Sequence, residues 1–173
     1  LNGIIAVSEG VREDLLTTTG MPADRITAIK NPVTTAEMIR EAQTYVDHPW
    51  LSENFGEPVL ITVGRLTKNK DHKTLLEAFR LINDTIPSRL LILGEGPERT
   101  SLEKIITETG LADRVQLPGF VDTPWAWMAK SSLFVLSSFA EGSGNVLTEA
   151  MAVGTPVVST CLLYTSPSPR DWM

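Results

Sequence analysis

The sequence predicts an α/β protein built on a doubly wound parallel sheet. Short, mainly apolar runs at 58–63, 89–93 and 133–136 alternate with segments of helical periodicity, and parallel strands need crossover connections of that kind. Glycine-rich turns at Gly64, at Gly94-Glu95-Gly96 and at Gly119 stand where a strand hands over to its helix. Such turns lie at the carboxyl edge of an open sheet, where ligands bind.

Taken in order, Ile4-Ile5-Ala6-Val7 is an apolar run followed by Ser8, which reads as a buried strand and a helix over about Val11–Thr18 capped by Ser8. Gly20 and Pro22 end that helix, and Arg25–Ile29 is a second strand stopped at Asn31-Pro32-Val33. The pattern then weakens over 34–56, which suits a connector between two bodies. Regular alternation begins at Pro58–Val63. The helix Lys73–Ile82 places Leu75, Leu76, Phe79 and Ile82 on one face. Strand Arg89–Leu93, a helix through Leu102, Ile105 and Ile106, strand Val115–Leu117, strand Leu133–Leu136, a helix over about Asn145–Val153 and strand Pro156–Val158 complete the series.

Composition narrows the function. At 173 residues the chain holds one α/β domain with a real core but not two complete ones. Its 42% hydrophobic and 21% charged residues exclude a disordered chain, and no apolar run reaches the length of a bilayer span. A net charge of -6 gives no general attraction to nucleic acid, so none is expected as a partner. Cys161 is alone, which excludes an internal disulfide and a multi-cysteine zinc site and fits a reducing cytoplasm. The chain opens on Leu1 in mid-strand without a charged leader, so its start reads as a cut.

The run Cys161–Asp171, CLLYTSPSPRD, breaks the alternation. It resembles the in-frame translation of a transposon-derived sequencing adapter, so residues 161–173 are expected to be a non-native tail and stand outside the fold reasoning. A Ser/Pro-rich disordered terminus is the plainer alternative.

Two stretches can carry chemistry. Gly64-Arg65-Leu66 ends the first strand of the main domain, and Lys70 follows in the same loop. A diphosphate there would meet the fork of donors on Arg65 and the point charge of Lys70; a solvated basic turn with Lys68 and Lys73 is the even alternative. The second stretch, EGSGNVLTEAM from Glu141 to Met151, sets Glu141 in a loop and Glu149 on the early turns of a helix. A glycine-preceded helix N-terminus lets backbone N–H groups approach an anion, and a carboxylate nearby can accept hydrogen bonds from hydroxyls. A lone helical glutamate is more often simply solvated.

The ordered set VSEGV, NPV, GRLTKNKDHKTLLEAF, LILGEGPE, LPGF and EGSGNVLTEAMAVGTPVVST, over Leu1–Thr160, resembles the large retaining glycosyltransferase family numbered four. The resemblance implies the two-domain GT-B architecture, with this chain carrying most of its Rossmann-like, C-terminal donor-binding domain and being incomplete at both ends. Residues 1–33 would be the remnant of the acceptor-binding domain, 34–56 the interdomain connector and 57–160 the nucleotide-sugar-binding domain. It implies Arg65 and Lys70 on the donor diphosphate, with Gly64 beside them, Glu149 on the ribose and Glu141 near the donor sugar. The backbone of Gly142, Ser143, Gly144, Asn145 and Val146 would lie against sugar and phosphate. Leu117, Gly119 and Phe120 would hold the base, and Gly94 and Gly96 would line the cleft, although glycines there can also serve backbone geometry alone. Ser143 departs from the Phe or Leu of many relatives, which puts the sugar subsite in doubt.

The implied donor is a UDP- or GDP-linked sugar and the implied acceptor a glycan or lipid-linked saccharide. No cofactor is expected, and no Asp-x-Asp motif occurs, in keeping with metal-independent transfer. The acceptor domain would supply further catalytic groups and any peripheral contact with the inner face of the membrane, so this stretch by itself is expected to be inactive. His48, in the connector, and His72, at a helix start with a solvent-exposed or capping role, are not promoted in their place. Trp125 and Trp127 flank a short helix, where packing is the default. A nucleotide-sugar 2-epimerase of the same architecture and a non-catalytic nucleotide-binding remnant are the competing functions. A dinucleotide-binding dehydrogenase is disfavoured because Arg99 stands where the third glycine of G-x-G-x-x-G belongs.

Overall fold

The computed structural model describes residues 3–29, 32–139, 141 and 144–160. By their contacts they form two compact units, the described residues of 3–33 and 141–145 in one and those of 34–139 and 146–160 in the other. The adapter-like run, Gly142 and Ser143 lie outside the described residues.

In the first unit, strands β1 (Ile4–Ala6) and β2 (Ile26–Ala28) pair in parallel, with Ile4 opposite Ile26. Between them runs helix α1 (Glu9–Thr19). Ser8 caps α1 by accepting from the Val11 N–H, and Gly20 ends it in the left-handed region at φ 62°, the conformation that glycine alone adopts without a Cβ penalty.

The second unit is a five-stranded parallel sheet. Its strands are β3 (Val59–Val63), β4 (Arg89–Leu93), β5 (Val115–Gly119), β6 (Leu133–Leu136) and β7 (Val157–Ser159). They lie in the order β5-β4-β3-β6-β7. From β3 the chain winds outward to β5, then crosses back to place β6 and β7 on the other side, so the sheet is doubly wound. Helices α3 (His72–Asn83) and α4 (Arg99–Glu108) make the crossovers on the first side. Their Leu75, Leu76, Phe79, Leu102 and Ile106 join Leu60, Leu90, Ile92 and Val115 of the sheet in one buried cluster. The alternate strand residues Ile61, Leu91 and Leu93 are also fully buried, as a central parallel strand covered on both faces requires.

Several local expectations are corrected. Residues 34–56, where the sequence pattern weakens, hold two short elements. They fold as helix α2 (Ala36–Glu41), capped by Thr35, and a 3-10 turn at Pro49–Leu51, and they bury Met38, Val46, Trp50 and Leu51 within the second unit. Ile82 is 42% exposed instead of joining the α3 face, because it falls in the last turn, past the edge of the sheet-facing stripe. Trp125 and Trp127 lie inside helix α5 (Pro124–Ala129), not beside it. Helix α6 (Asn145–Ala152) precedes β7. Among the described residues no helix is long and apolar enough to cross a membrane.

Candidate functional site

In the second unit the strand order reverses between β3 and β6, and ligand crevices of open sheets form outside the carboxyl ends of strands at such a reversal. The loop leaving β3 carries Gly64, Arg65 and Lys70. It is anchored from within by Leu66, which is fully buried. The Leu66 N–H donates to the Glu95 carbonyl at 2.9 Å and its carbonyl accepts from the Glu98 N–H at 3.0 Å, which ties the loop to the one leaving β4. On the β6 side, Phe139 N–H donates to the Asn69 carbonyl at 3.1 Å and Ser137 Oγ to the Lys70 carbonyl at 2.7 Å.

Arg65 is exposed at the rim. The Lys70 side chain folds back over Gly64: a β-carbon on Gly64 would meet Lys70 Cε at 3.3 Å and Nζ at 3.7 Å. The loop therefore brings its second cation over the end of the central strand, where a side chain at position 64 would crowd it.

Asp71 follows with φ 47° and ψ 47°, the one positive φ outside glycine among the described residues. Aspartate tolerates this region better than most residues, and here it also caps α3, accepting from the Thr74 N–H at 3.4 Å and Thr74 Oγ at 2.7 Å. His72, expected to be exposed or a cap, is instead buried, since Asp71 takes the capping role and turns the next side chain inward. Burial, and then the charge of Lys70, lower its pKa from 6.5 to about 4, so the imidazole is neutral at pH 7. Its Nδ1 has no hydrogen-bond partner among the described residues.

Gly94 and Gly96 are required by the crossing of these loops. A β-carbon on Gly94 would lie 2.0 Å from the Gly64 carbonyl oxygen, and one on Gly96 would lie 2.4 Å from that of Leu66. Gly94 N–H donates to the Gly119 carbonyl at 2.8 Å, so the loops after β3, β4 and β5 form one interlocked platform. Leu117 and Gly119 belong to β5, and Phe120 beyond them is 76% exposed.

Arg99, read from the sequence only as a missing glycine, braces this platform. Its guanidinium donates to Glu95 at 2.6 Å, to Glu103 at 2.8 Å and to the Leu117 carbonyl at 2.9 Å. The i,i+4 spacing of Glu95, Arg99 and Glu103 was the available signal.

Glu149, half-buried on α6, accepts from Trp125 Nε1 at 3.1 Å. Val146 lies one turn earlier on the same helix. Glu141, Gly144 and Asn145 group with the first unit, and Gly144 has φ 52°. His48 takes no part in these loops. It caps the 3-10 turn through Nδ1 and pairs through Nε2 with Gln116 at 2.9 Å, with its ring 5.2 Å from that of Trp127.

The described residues define an α/β protein with a doubly wound parallel sheet, and the loop leaving its central strand carries Arg65 and Lys70. More narrowly, the chain belongs to the glycosyl transferases group 1 family, whose profile matches residues 47–165. It is 38% identical over 115 residues to a lipopolysaccharide core biosynthesis glycosyltransferase of Rhizobium meliloti, LpsE, covering 66% of this chain and 33% of that protein. It is 31% identical over 157 residues to a Campylobacter jejuni N-acetylgalactosaminyltransferase named for a diphospho-undecaprenol acceptor, covering 91% of this chain and 40% of that protein. The chain thus spans between a third and two fifths of the length of these relatives. Among solved structures it resembles a variant of S. aureus TarM in complex with fondaparinux, α-GlcNAc-glycerol and UDP, with a TM-score of 0.75 and 25% identity over 99% of this chain and 31% of that one. The fold is the Rossmann-like domain of GT-B glycosyltransferases.

Proposed function

We propose that this chain binds the nucleoside diphosphate part of a sugar donor at the β3–β6 switch point. It would serve an enzyme that transfers the sugar, with retention of configuration as in family four, to a glycan or lipid-linked saccharide. The observation that carries the reading is Lys70 folded back over Gly64 at the end of the central strand, in the same loop as the exposed Arg65. Two cations at that place would hold a diphosphate and offset the charge that grows on it as the sugar departs. Glu149 would accept hydrogen bonds from the ribose. Val146, one turn before Glu149 on the same helix, would lie on the phosphate side. Leu117, Gly119 and Phe120 would flank the base, with Gly94 and Gly96 along the cleft.

UDP bound to S. aureus TarM supports a UDP-linked donor, with GDP as the other base considered, and no metal is assigned a role. The lipid diphosphate in the name of the C. jejuni relative supports a lipid-linked acceptor, and the place of action we propose is the cytoplasmic face of the membrane. In this reading residues 1–33 belong to the acceptor side, 34–56 join the two sides, 57–160 are the donor side and 161–173 are foreign.

Calorimetric titration of UDP and of GDP into the parent, Arg65→Ala and Glu149→Ala tests the site. One nucleotide should bind the parent, and each substitution should weaken it tenfold or more. Affinity equal to the parent in both variants would show that the site is elsewhere.

A further inference from the structure

We infer that Trp125 is a positioning residue for nucleotide binding: its indole N–H sets the plane of the Glu149 carboxylate and so determines how well the protein reads the ribose hydroxyls. The inference rests on the reading of Glu149 as the ribose-facing group, and it adds a residue from a different helix.

The geometry is direct. Trp125 Nε1 lies 3.1 Å from Glu149 Oε2. An indole nitrogen can only donate and an ionised carboxylate can only accept, so the direction of the bond is fixed by chemistry. Both side chains are half-buried, and a carboxylate drawn partly out of water is favoured where a donor meets it.

Trp125 is itself held firmly. Pro124 opens α5, Ala126 and Met128 of the same helix are fully buried, and Thr155 Oγ donates to the Met128 carbonyl at 2.7 Å. Thr155 stands between α6 and β7, so this bond also joins α5 to the segment that follows Glu149. The two partners therefore sit on elements already locked together.

What the bond supplies is orientation. The terminal torsion of a glutamate is broad and nearly two-fold, so an unbraced carboxylate samples many planes. With one lone pair of Oε2 held by Trp125, the plane is set, and Oε1 together with the remaining lone pair of Oε2 is left for two outside donors. Two adjacent hydroxyls of a ribose need that fixed plane; a diphosphate does not. Loss of Trp125 should therefore act on ribose recognition and leave the rest of the nucleotide's affinity in place, with a preorganisation effect of roughly threefold to tenfold.

The test compares UDP with 2′,3′-dideoxy-UDP, and GDP with its dideoxy analogue, by calorimetry on the 173-residue chain. The parent should prefer the hydroxylated nucleotide. Glu149→Gln should abolish that preference, Trp125→Phe should reduce it threefold or more without changing affinity for the dideoxy form, and Trp125→His, which retains a ring N–H, should restore part of it. Thermal melts of each variant accompany the titrations. A merely structural Trp125 would lower the melting temperature and scale both affinities together, which overturns the inference. Preference lost in Glu149→Gln but intact in Trp125→Phe also overturns it while the Glu149 assignment stands. A parent without preference, or one whose preference survives Glu149→Gln, removes the ribose reading and this inference with it.

Discussion

Gly94 crosses Gly64 so closely that a β-carbon on Gly94 would stand 2.0 Å from the Gly64 carbonyl oxygen, at a backbone φ of 130°. Neither partner can yield, since both are main chain. Gly94→Ala should therefore cost more than the ~1–3 kcal/mol of an ordinary strained residue and should displace the loop that carries Arg65 and Lys70. Gly110, with φ 71° and open space around it, is the control: its alanine variant meets the strain alone, about 1 kcal/mol. Urea denaturation of the two variants should rank them in that order, and equal losses would contradict the close approach.

His72 makes stability depend on acid. Its pKa falls from 6.5 to about 4 on folding, through burial and then Lys70. Between those values the unfolded chain binds a proton that the folded protein does not. Stability is thus fully present above the upper value and declines as pH drops toward the lower one, by a few kcal/mol at most. His72→Leu should flatten that decline in urea titrations run at about pH 7, 5.5 and 4.5. A variant that keeps the parent's slope would refute the assignment.

At Asp71 two effects oppose each other. The left-handed backbone favours glycine, while the bonds to Thr74 favour a capping side chain. Asp71→Asn preserves both and should stay within about 0.5 kcal/mol of the parent. Asp71→Gly relieves the backbone and loses the cap, for a net change of about 1 kcal/mol or less. Asp71→Ala loses on both counts, about 2–3 kcal/mol. The ranking Asn, Gly, Ala in thermal melts is the check.

Arg99 spreads one guanidinium over Glu95, Glu103 and the Leu117 carbonyl. Lysine lacks that fork. Arg99→Lys should therefore lose about 1–2 kcal/mol, most of it from the half-buried bond to Leu117 because the exposed pairs are screened. Under the proposed function it should also weaken nucleotide binding severalfold. Unchanged stability and binding in 0.15 M salt would mark the brace as inert.

The sheet was legible because its strands are short apolar runs set off by glycine, and Arg89–Leu93 and Leu133–Leu136 were read with the bounds the structure gives them. Ser8 likewise announced its helix. Helix α2 was not legible, since six residues with Met38 as the only buried one carry no period to detect. The burial of His72 and the exposure of Ile82 escape the sequence for a related reason: helical spacing says which residues share a face, but not where a cap begins the count or where the sheet ends beneath the last turn. At the candidate site, chain order marks Arg65 and Lys70 only as an even choice between a phosphate site and a solvated turn, and the roles of all three, Glu149 included, come from the family resemblance. Their supports, Trp125 and Ser137, and the bond from Arg99 to Leu117, act across sequence separations that no local pattern encodes. Arg99 alone left a trace, in its spacing from Glu95 and Glu103.

The loop after β3 is fastened from two directions, to Glu95 and Glu98 on one flank and to Ser137 and Phe139 on the other. Those fastenings join parts of the chain made early to parts made tens of residues later. Contacts of long sequence separation form late and slowly in parallel sheets. During synthesis the Lys70 segment must therefore wait for β6 to emerge and dock before it takes its final shape. A chain stalled before Ser137 lacks both fastenings on the β6 flank, so the segment from Asn69 to Lys70 would be held on one side only.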